Sequence, residues 1–353
     1  MSKRLAGGCR KAHAAASGVI ENNRRRRSMI VIAGLGVLLV SVLILSMALG
    51  RYGVSFGDML QTLKGDDADG TSFNVLFYLR GPRVLASAAI GAMLACAGCA
   101  YQGLFRNPLV SPDLLGASAG ACFGAALGIL LGLGGIGMQV LAFISGIVAV
   151  AAAYLLSHKL SKAVNEVLVL VLCGMVVQNL FVAFTSAVKF MADPNSQLPE
   201  ITFWLMGGLS NVRENDLLWL AVPLVVGCGG LFAMRWKLNV MSCGDEEALS
   251  LGVDVRRTRL VVVACATLAT ASAVSIAGMV GWVGLIIPHL ARFLVGSDNR
   301  YLVPASFLLG GSFLVLVDDV CRSIYTTEIP LSILTAIIGA PLFVYLIYHA
   351  RRV

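Results

Sequence analysis

The sequence predicts an all-α, polytopic membrane protein of about ten transmembrane helices with both termini in the cytoplasm. Three observations lead there. Of 353 residues 58% are apolar and 13% are charged, against roughly 45–50% and about 25% in soluble domains. Charge-poor runs recur from Met29 to Tyr348, each near the roughly 20 residues that cross a hydrocarbon core of about 30 Å. Lysine and arginine are also divided unevenly among the connections between those runs.

Taken in order, the first run, Met29 to Leu49, follows a basic tail ending in Arg24, Arg25, Arg26 and Arg27. It exceeds the roughly 7–15 apolar residues of a cleaved signal peptide, so a retained helix is expected. Val84 to Phe105, Leu114 to Leu133, Ile136 to Leu156, Val167 to Val188 and Leu217 to Met234 each read as one helix. The uncharged stretch Leu260 to Pro288 is too long for one crossing and short for two. Arg256, Arg257 and Arg259 precede it and Arg292 and Arg300 follow it, so an even number of crossings keeps both groups inside. Two helices are therefore expected, with a break near Gly278 and Gly281. Leu302 to Val317 and Leu331 to Tyr348 complete the ten. Residues 29–353 form one membrane domain, and the tail 1–28 and the outer loop Arg51 to Phe77 are expected to be poorly ordered.

Charge supports this orientation. The inner segments hold 20 basic residues: eight in the tail, then Arg106, Lys159, Lys162, Arg235, Lys237, Arg256, Arg257, Arg259, Arg292, Arg300, Arg351 and Arg352. The outer ones hold seven, namely Arg51, Lys64, Arg80, Arg83, Lys189, Arg213 and Arg322. Small residues recur every fourth position, as Gly116, Gly120, Gly124 and Gly128 and as Ser87, Gly91, Ala95 and Cys99. Such rows let helix backbones approach closely in lipid.

Several functions are disfavoured by the residues themselves. Cys96 and Cys99 lie inside an apolar helix, where cysteine acts as a small hydrophobe, and no second pair completes a zinc site. The net charge of +8 is spread over helix ends and suits anionic lipid headgroups rather than nucleic acid. His158, His289 and His349 have no partner at ligand spacing. Ser87, Thr185, Ser186 and Ser332 have no evident base, which argues against an intramembrane enzyme. No Walker-type phosphate loop is present. Mid-helix carboxylates, which ion-coupled secondary transporters usually carry, are missing away from helix ends.

The remaining signal lies in ordered motifs: Leu79-Arg80-Gly81-Pro82-Arg83; Gln102 to Leu109; Pro112-Asp113-Leu114-Leu115-Gly116; Leu238-Asn239; Gly244-Asp245-Glu246-Glu247-Ala248; Leu251-Gly252-Val253; Gly281 and Gly284; Pro288-His289-Leu290-Ala291-Arg292; Asp318 to Arg322; Glu328-Ile329-Pro330; and Gly339-Ala340-Pro341. Together they resemble the permease family of bacterial ATP-binding-cassette importers for iron siderophores, haem and cobalamin. The resemblance covers Leu79 to Tyr348. It implies a ten-helix, multi-pass subunit of the bacterial cytoplasmic membrane with no catalytic activity and no directly bound cofactor or metal. The implied partners are a second permease chain, two cytoplasmic ATPases that hold ATP and magnesium, and an extracytoplasmic binding protein. A ferric siderophore is the expected cargo, with haem or cobalamin as alternatives.

The resemblance also implies roles for individual residues. The loop at about 237–256, with Gly244, Asp245, Glu246, Glu247, Leu251 and Gly252, would seat the ATPase. The same residues read physically as a short amphipathic helix with acids in its first turn and a glycine after its end, which a merely solvated surface helix would also show. Arg80, Arg83 and Arg322 would dock acids of the binding protein. Local pairing is the other reading for Arg322, since Asp318 and Asp319 stand four and three residues before it. Phe203, Trp204 and Met206 would lie at the mouth of the pathway, and Phe203 and Trp204 also suit interfacial anchoring.

Overall fold

The computed structural model describes residues 2–50, 73–160, 166–324 and 327–350. Much of the outer loop, 51–72, therefore lies outside the described residues. Every expected apolar run contains helix, although Leu114 to Leu133 begins in a 3₁₀ segment before a left-handed Gly116, and Leu217 to Met234 is divided by a π segment. Helix α1 is Ser2–Ala48 and takes in most of the basic tail, which is expected to be poorly ordered. A π-helical segment, Asn74–Arg80, runs straight into α2, Gly81–Leu104, and Pro82 stands just after the junction, where a ring without an N–H interrupts the regular i→i−4 ladder. A short 3₁₀ segment, Pro112–Leu115, leads into α3, Ala117–Leu130, and then come α4, Gly135–Leu160, and α5, Glu166–Met191. The short α6 is Gln197–Leu205. Next are α7, Glu214–Pro223, and α8, Gly229–Ser242, joined by a π-turn at Leu224–Cys228 just after Pro223. The final elements are α9, Asp245–Ser250; α10, Val255–Ala277; α11, Val283–Val295; α12, Asn299–Ser323; and α13, Leu331–Ala350.

Among the described residues, seven helical stretches are long and apolar enough to cross a bilayer, and three shorter apolar helices accompany them: α3, α11 and the 331–346 part of α13. The break expected near Gly278 and Gly281 is present. Gly278 (φ 68°) ends α10 and Trp282 (φ 70°) precedes α11.

Helix α2 is the axis of the bundle, packed by α1, α8, α10, α11 and α12. Ile90, Met93, Cys96 and Tyr101 on it are buried. A second group, α3, α4 and α5, packs together and leans on α10 through α4 and α3. The small-residue rows make both seams. A methyl on Gly91 would meet the Gly310 backbone and Leu314 of α12, and one on Gly98 would meet the backbone of Gly284 in α11. Gly120 and Gly124 lie equally close to the α4 backbone at Ser145 and Leu141. Apolar side chains remain exposed along α5 and α13, Phe190 and Ile337 among them, as lipid or another subunit would require.

Candidate functional site

At the end of the bundle where α2 finishes and α12 begins, α9 protrudes between α8 and α10. Its geometry depends on two glycines. Gly244 takes φ 135° and Gly252 φ 79°, conformations that a side chain rarely adopts. Asp245, Glu246 and Glu247 fill the first turn. Ala248 and Val253 are buried and fasten the helix, whereas Leu249 and Leu251 are more than 60% exposed. An apolar edge beside an acidic turn is thus offered to solvent.

This element is held from beneath by charge. One Asp245 oxygen accepts from Arg106 at 3.1 Å, on the connection after α2, and the other accepts from Arg259 of α10 at 2.8 Å. Arg259 also donates to Glu166, the first residue of α5. Beside this lattice, Asn239 of α8 bonds Asp298 at 2.6 Å and the Asn299 amide at 2.7 Å, so the start of α12 is fixed to the same assembly. Burial opposes ionisation of Asp298, but the bonds from Arg300 and Asn239 outweigh it and hold the carboxyl below its usual range.

The opposite end gathers the three arginines expected to dock a partner, and it occupies them internally. Arg83 grips Asp318 at 2.8–3.2 Å and Glu328 at 2.7–3.0 Å. Arg322 bonds Asp319, the Ser46 carbonyl at 2.5 Å and the Ser46 hydroxyl at 2.8 Å, and that hydroxyl also reaches Asp319 at 2.6 Å. Arg80 donates to the carbonyls of Met47 and Ala48 at 2.8 and 3.2 Å, satisfying the last turn of α1. Of the two carboxylates weighed for Arg322, Asp319 is the bonded one, and Asp318 belongs to Arg83. Arg80 and Arg322 are buried and Glu328 is the open edge of the cluster.

Phe203, Trp204 and Met206 lie at the same end as these arginines, on and just after α6. Phe203 is 71% exposed, while Trp204 packs on the cluster that contains Ala121, Ala142 and Val274. The Met206 and Gly207 carbonyls accept from Ser332 at 3.2 Å and Leu331 at 3.0 Å, and the Gly208 amide donates to Ala277 at 2.9 Å. The segment therefore ties the end of α10 to the start of α13. A turn around Asp193 precedes it, in which one carboxylate oxygen accepts from Ser196 and from the Asn195 and Ser196 amides at 2.8–2.9 Å, lowering the Asp193 pKa.

Residues 38–349 match the FecCD transport family. The chain belongs to that family. It is 38% identical over 326 residues to the molybdate import system permease protein MolB of Haemophilus influenzae, covering 91% of this chain and 96% of the relative. It is 41% identical over 270 residues to the cobalamin import system permease protein BtuC of Halobacterium salinarum, covering 76% and 72%. A solved structure described as an inward-facing conformation of a metal-chelate type ABC transporter superposes with a TM-score of 0.82 at 38% identity, covering 90% of this chain and 98% of the other.

For a FecCD permease the sequence reading omits the residues that hold its motifs in place. Arg259 counts there only as an inward-facing charge. Its signal was available: Val255, Arg259, Val262, Val263 and Ala266 share one helical face, and all are buried. A charge on a buried face needs a partner. Glu166 and Glu328 gave no comparable signal, because their partners are 93 and 245 residues away.

Proposed function

We propose that this FecCD permease is one half of the membrane channel of an ATP-driven importer in a bacterial cytoplasmic membrane, paired with a second permease chain. Ten crossings put both termini and α9 inside, where α9 seats one of two ATPases that carry ATP and magnesium. The observation that carries the reading is α9 itself, a glycine-framed helix with exposed Leu249 and Leu251, braced by Arg106 and Arg259. An element that only covered the bundle would bury its leucines. The permease breaks no bond. It alternates between outward-open and inward-open packing, as ATP and cargo favour one state or the other through their differential affinity.

An extracytoplasmic binding protein docks at the arginine end, beside the pathway mouth of Phe203, Trp204 and Met206. Its carboxylates compete there with Glu328 for Arg83 and with Asp319 for Arg322, while Arg80 frames the same rim. The cargo reading is a metal chelate, with ferric siderophore as the first choice and haem or cobalamin as alternatives. A second reading, molybdate, is favoured by the near full-length likeness to the Haemophilus influenzae permease.

Reconstitution with the ATPase and binding protein tests the whole reading. Vesicles are offered labelled ferric siderophore, haem, cobalamin and molybdate. Uptake of one of them that requires ATP is expected; uptake driven by an ion gradient without nucleotide refutes the importer. Charge reversal at Arg80 and Arg83 should weaken binding-protein association in a salt-dependent manner, and unchanged affinity removes both from the docking rim.

A further inference from the structure

We infer that Arg259 is the positioning residue that transmits displacement of α9 to α5 and so to the opposite end of the molecule. This rests on the reading of α9 as the ATPase seat. Arg259 stands in the first turns of α10 with its side chain 4% exposed, and its two terminal nitrogens reach different elements: Asp245 of α9 at 2.8 Å and Glu166 of α5. Arg106 completes a line of alternating charge, Arg106, Asp245, Arg259, Glu166, across four segments. The Arg259 Nε is buried with no partner among the described residues.

Stability alone does not account for this arrangement. Only the arginine is buried: the Glu166 side chain is 56% and that of Asp245 36% exposed, so each pair contributes little to stability, while a buried Arg259 N–H is left unsatisfied among the described residues. The guanidinium fork supplies a two-pronged link that neither an apolar residue nor a single ammonium reproduces.

The link leads to a lever. Helix α5 is 26 residues long, about 39 Å at 1.5 Å per residue. About a third of the way along it, Gly174 lies against the Leu114 backbone and Leu115, a close contact that can serve as a fulcrum. At its far end Val188 and the following Ala192 pack with Ile201 of α6, and Trp204 and Leu205 rest on the same cluster. A push on α9 moves Glu166 through Arg259, and the rigid helix carries it to the segment that bears Phe203.

The test uses the full complex of permease and ATPase in lipid nanodiscs. Phe203→Cys is introduced as a reporter, and its rate of modification by a membrane-impermeant maleimide is read by mass spectrometry with and without ATP. Leu249→Cys, in a separate variant, reports ATPase seating by cross-linking. In the parent, ATP should change the Phe203→Cys rate about fivefold or more. Glu166→Gln, which leaves α9 and its Asp245 bonds intact, should reduce that response to less than about twofold, with Leu249→Cys cross-linking retained. Arg259→Lys, which keeps the charge but not the fork, should behave likewise. A full ATP response in both variants with normal cross-linking overturns the relay alone. No response in the parent despite normal cross-linking overturns it too. No cross-link from Leu249→Cys in the parent overturns the seat and the relay together.

Discussion

Replacing Arg83 with methionine separates its two ion pairs by burial. The Asp318 side chain is 2% exposed, that of Glu328 is 36% exposed, and the arginine between them is 12% exposed. Losing the Glu328 arm should cost only the 0–1 kcal/mol or so of a surface pair. Losing the Asp318 arm strands a buried carboxylate, a cost of about 3–5 kcal/mol. Arg83→Met should therefore destabilise the purified permease by about 3–5 kcal/mol, and Glu328→Gln by no more than about 1 kcal/mol. Asp318→Asn, neutral and nearly isosteric, removes the stranded charge, so the double variant should be much less destabilised than the sum of the singles. The assay is denaturant unfolding in mixed micelles, arranged as a double-mutant cycle. If the two substitutions add within about 0.5 kcal/mol, the buried pair is not energetically coupled, and Arg83 is free to serve a docking partner alone.

Other substitutions test separate joints. Gly98→Ala places a methyl 2.6 Å from the Gly284 carbonyl carbon and 2.8 Å from its Cα; because backbone cannot step aside, a loss of about 1–3 kcal/mol or more is expected in the same unfolding assay. Asp298→Ala removes the cap that accepts from the Arg300 amide at 2.9 Å and should cost about 0.5–2 kcal/mol. The Asp193 pKa is depressed in the folded state by Ser196 and the neighbouring amides. Its stabilising effect is therefore present above the unfolded pKa and is lost as pH falls through the folded value. Acidification below the ordinary carboxylate range should open that turn, read as faster hydrogen exchange at the Asn195 and Ser196 amides, while Asp193→Asn should show no such acid step.

The spans were legible because a bilayer imposes one requirement, about twenty residues without charge, that a linear sequence displays directly. The division of Leu260 to Pro288 was legible for a second reason, since arginines flank it on both sides and Gly278 can take the positive φ that stops α10. The α9 motif was readable from local spacing, and its glycines do adopt conformations that exclude side chains. What was not legible is who neutralises whom. Arg322 with Asp319 is one helical turn apart and stood among the alternatives, whereas Arg83 with Asp318 and Glu328, and Arg259 with Glu166, join positions brought together only by the three-dimensional packing. The helix of α1 likewise extends through the basic tail, which is expected to be poorly ordered as a chain terminus.

The glycine seams along α2 bear on which parts can travel. Gly91 against Gly310 and Gly98 against Gly284 leave no room for a methyl on either side. Sliding α2 by a single residue, about 1.5 Å, would bring a neighbouring side chain into a carbonyl it cannot displace. These three helices thus make a keyed shaft that can tilt as a block but cannot shear. Conformational work is thereby confined to motions outside it, and because α3 and α4 are keyed to each other in the same way at Gly120 and Gly124, that pair too must travel as a unit.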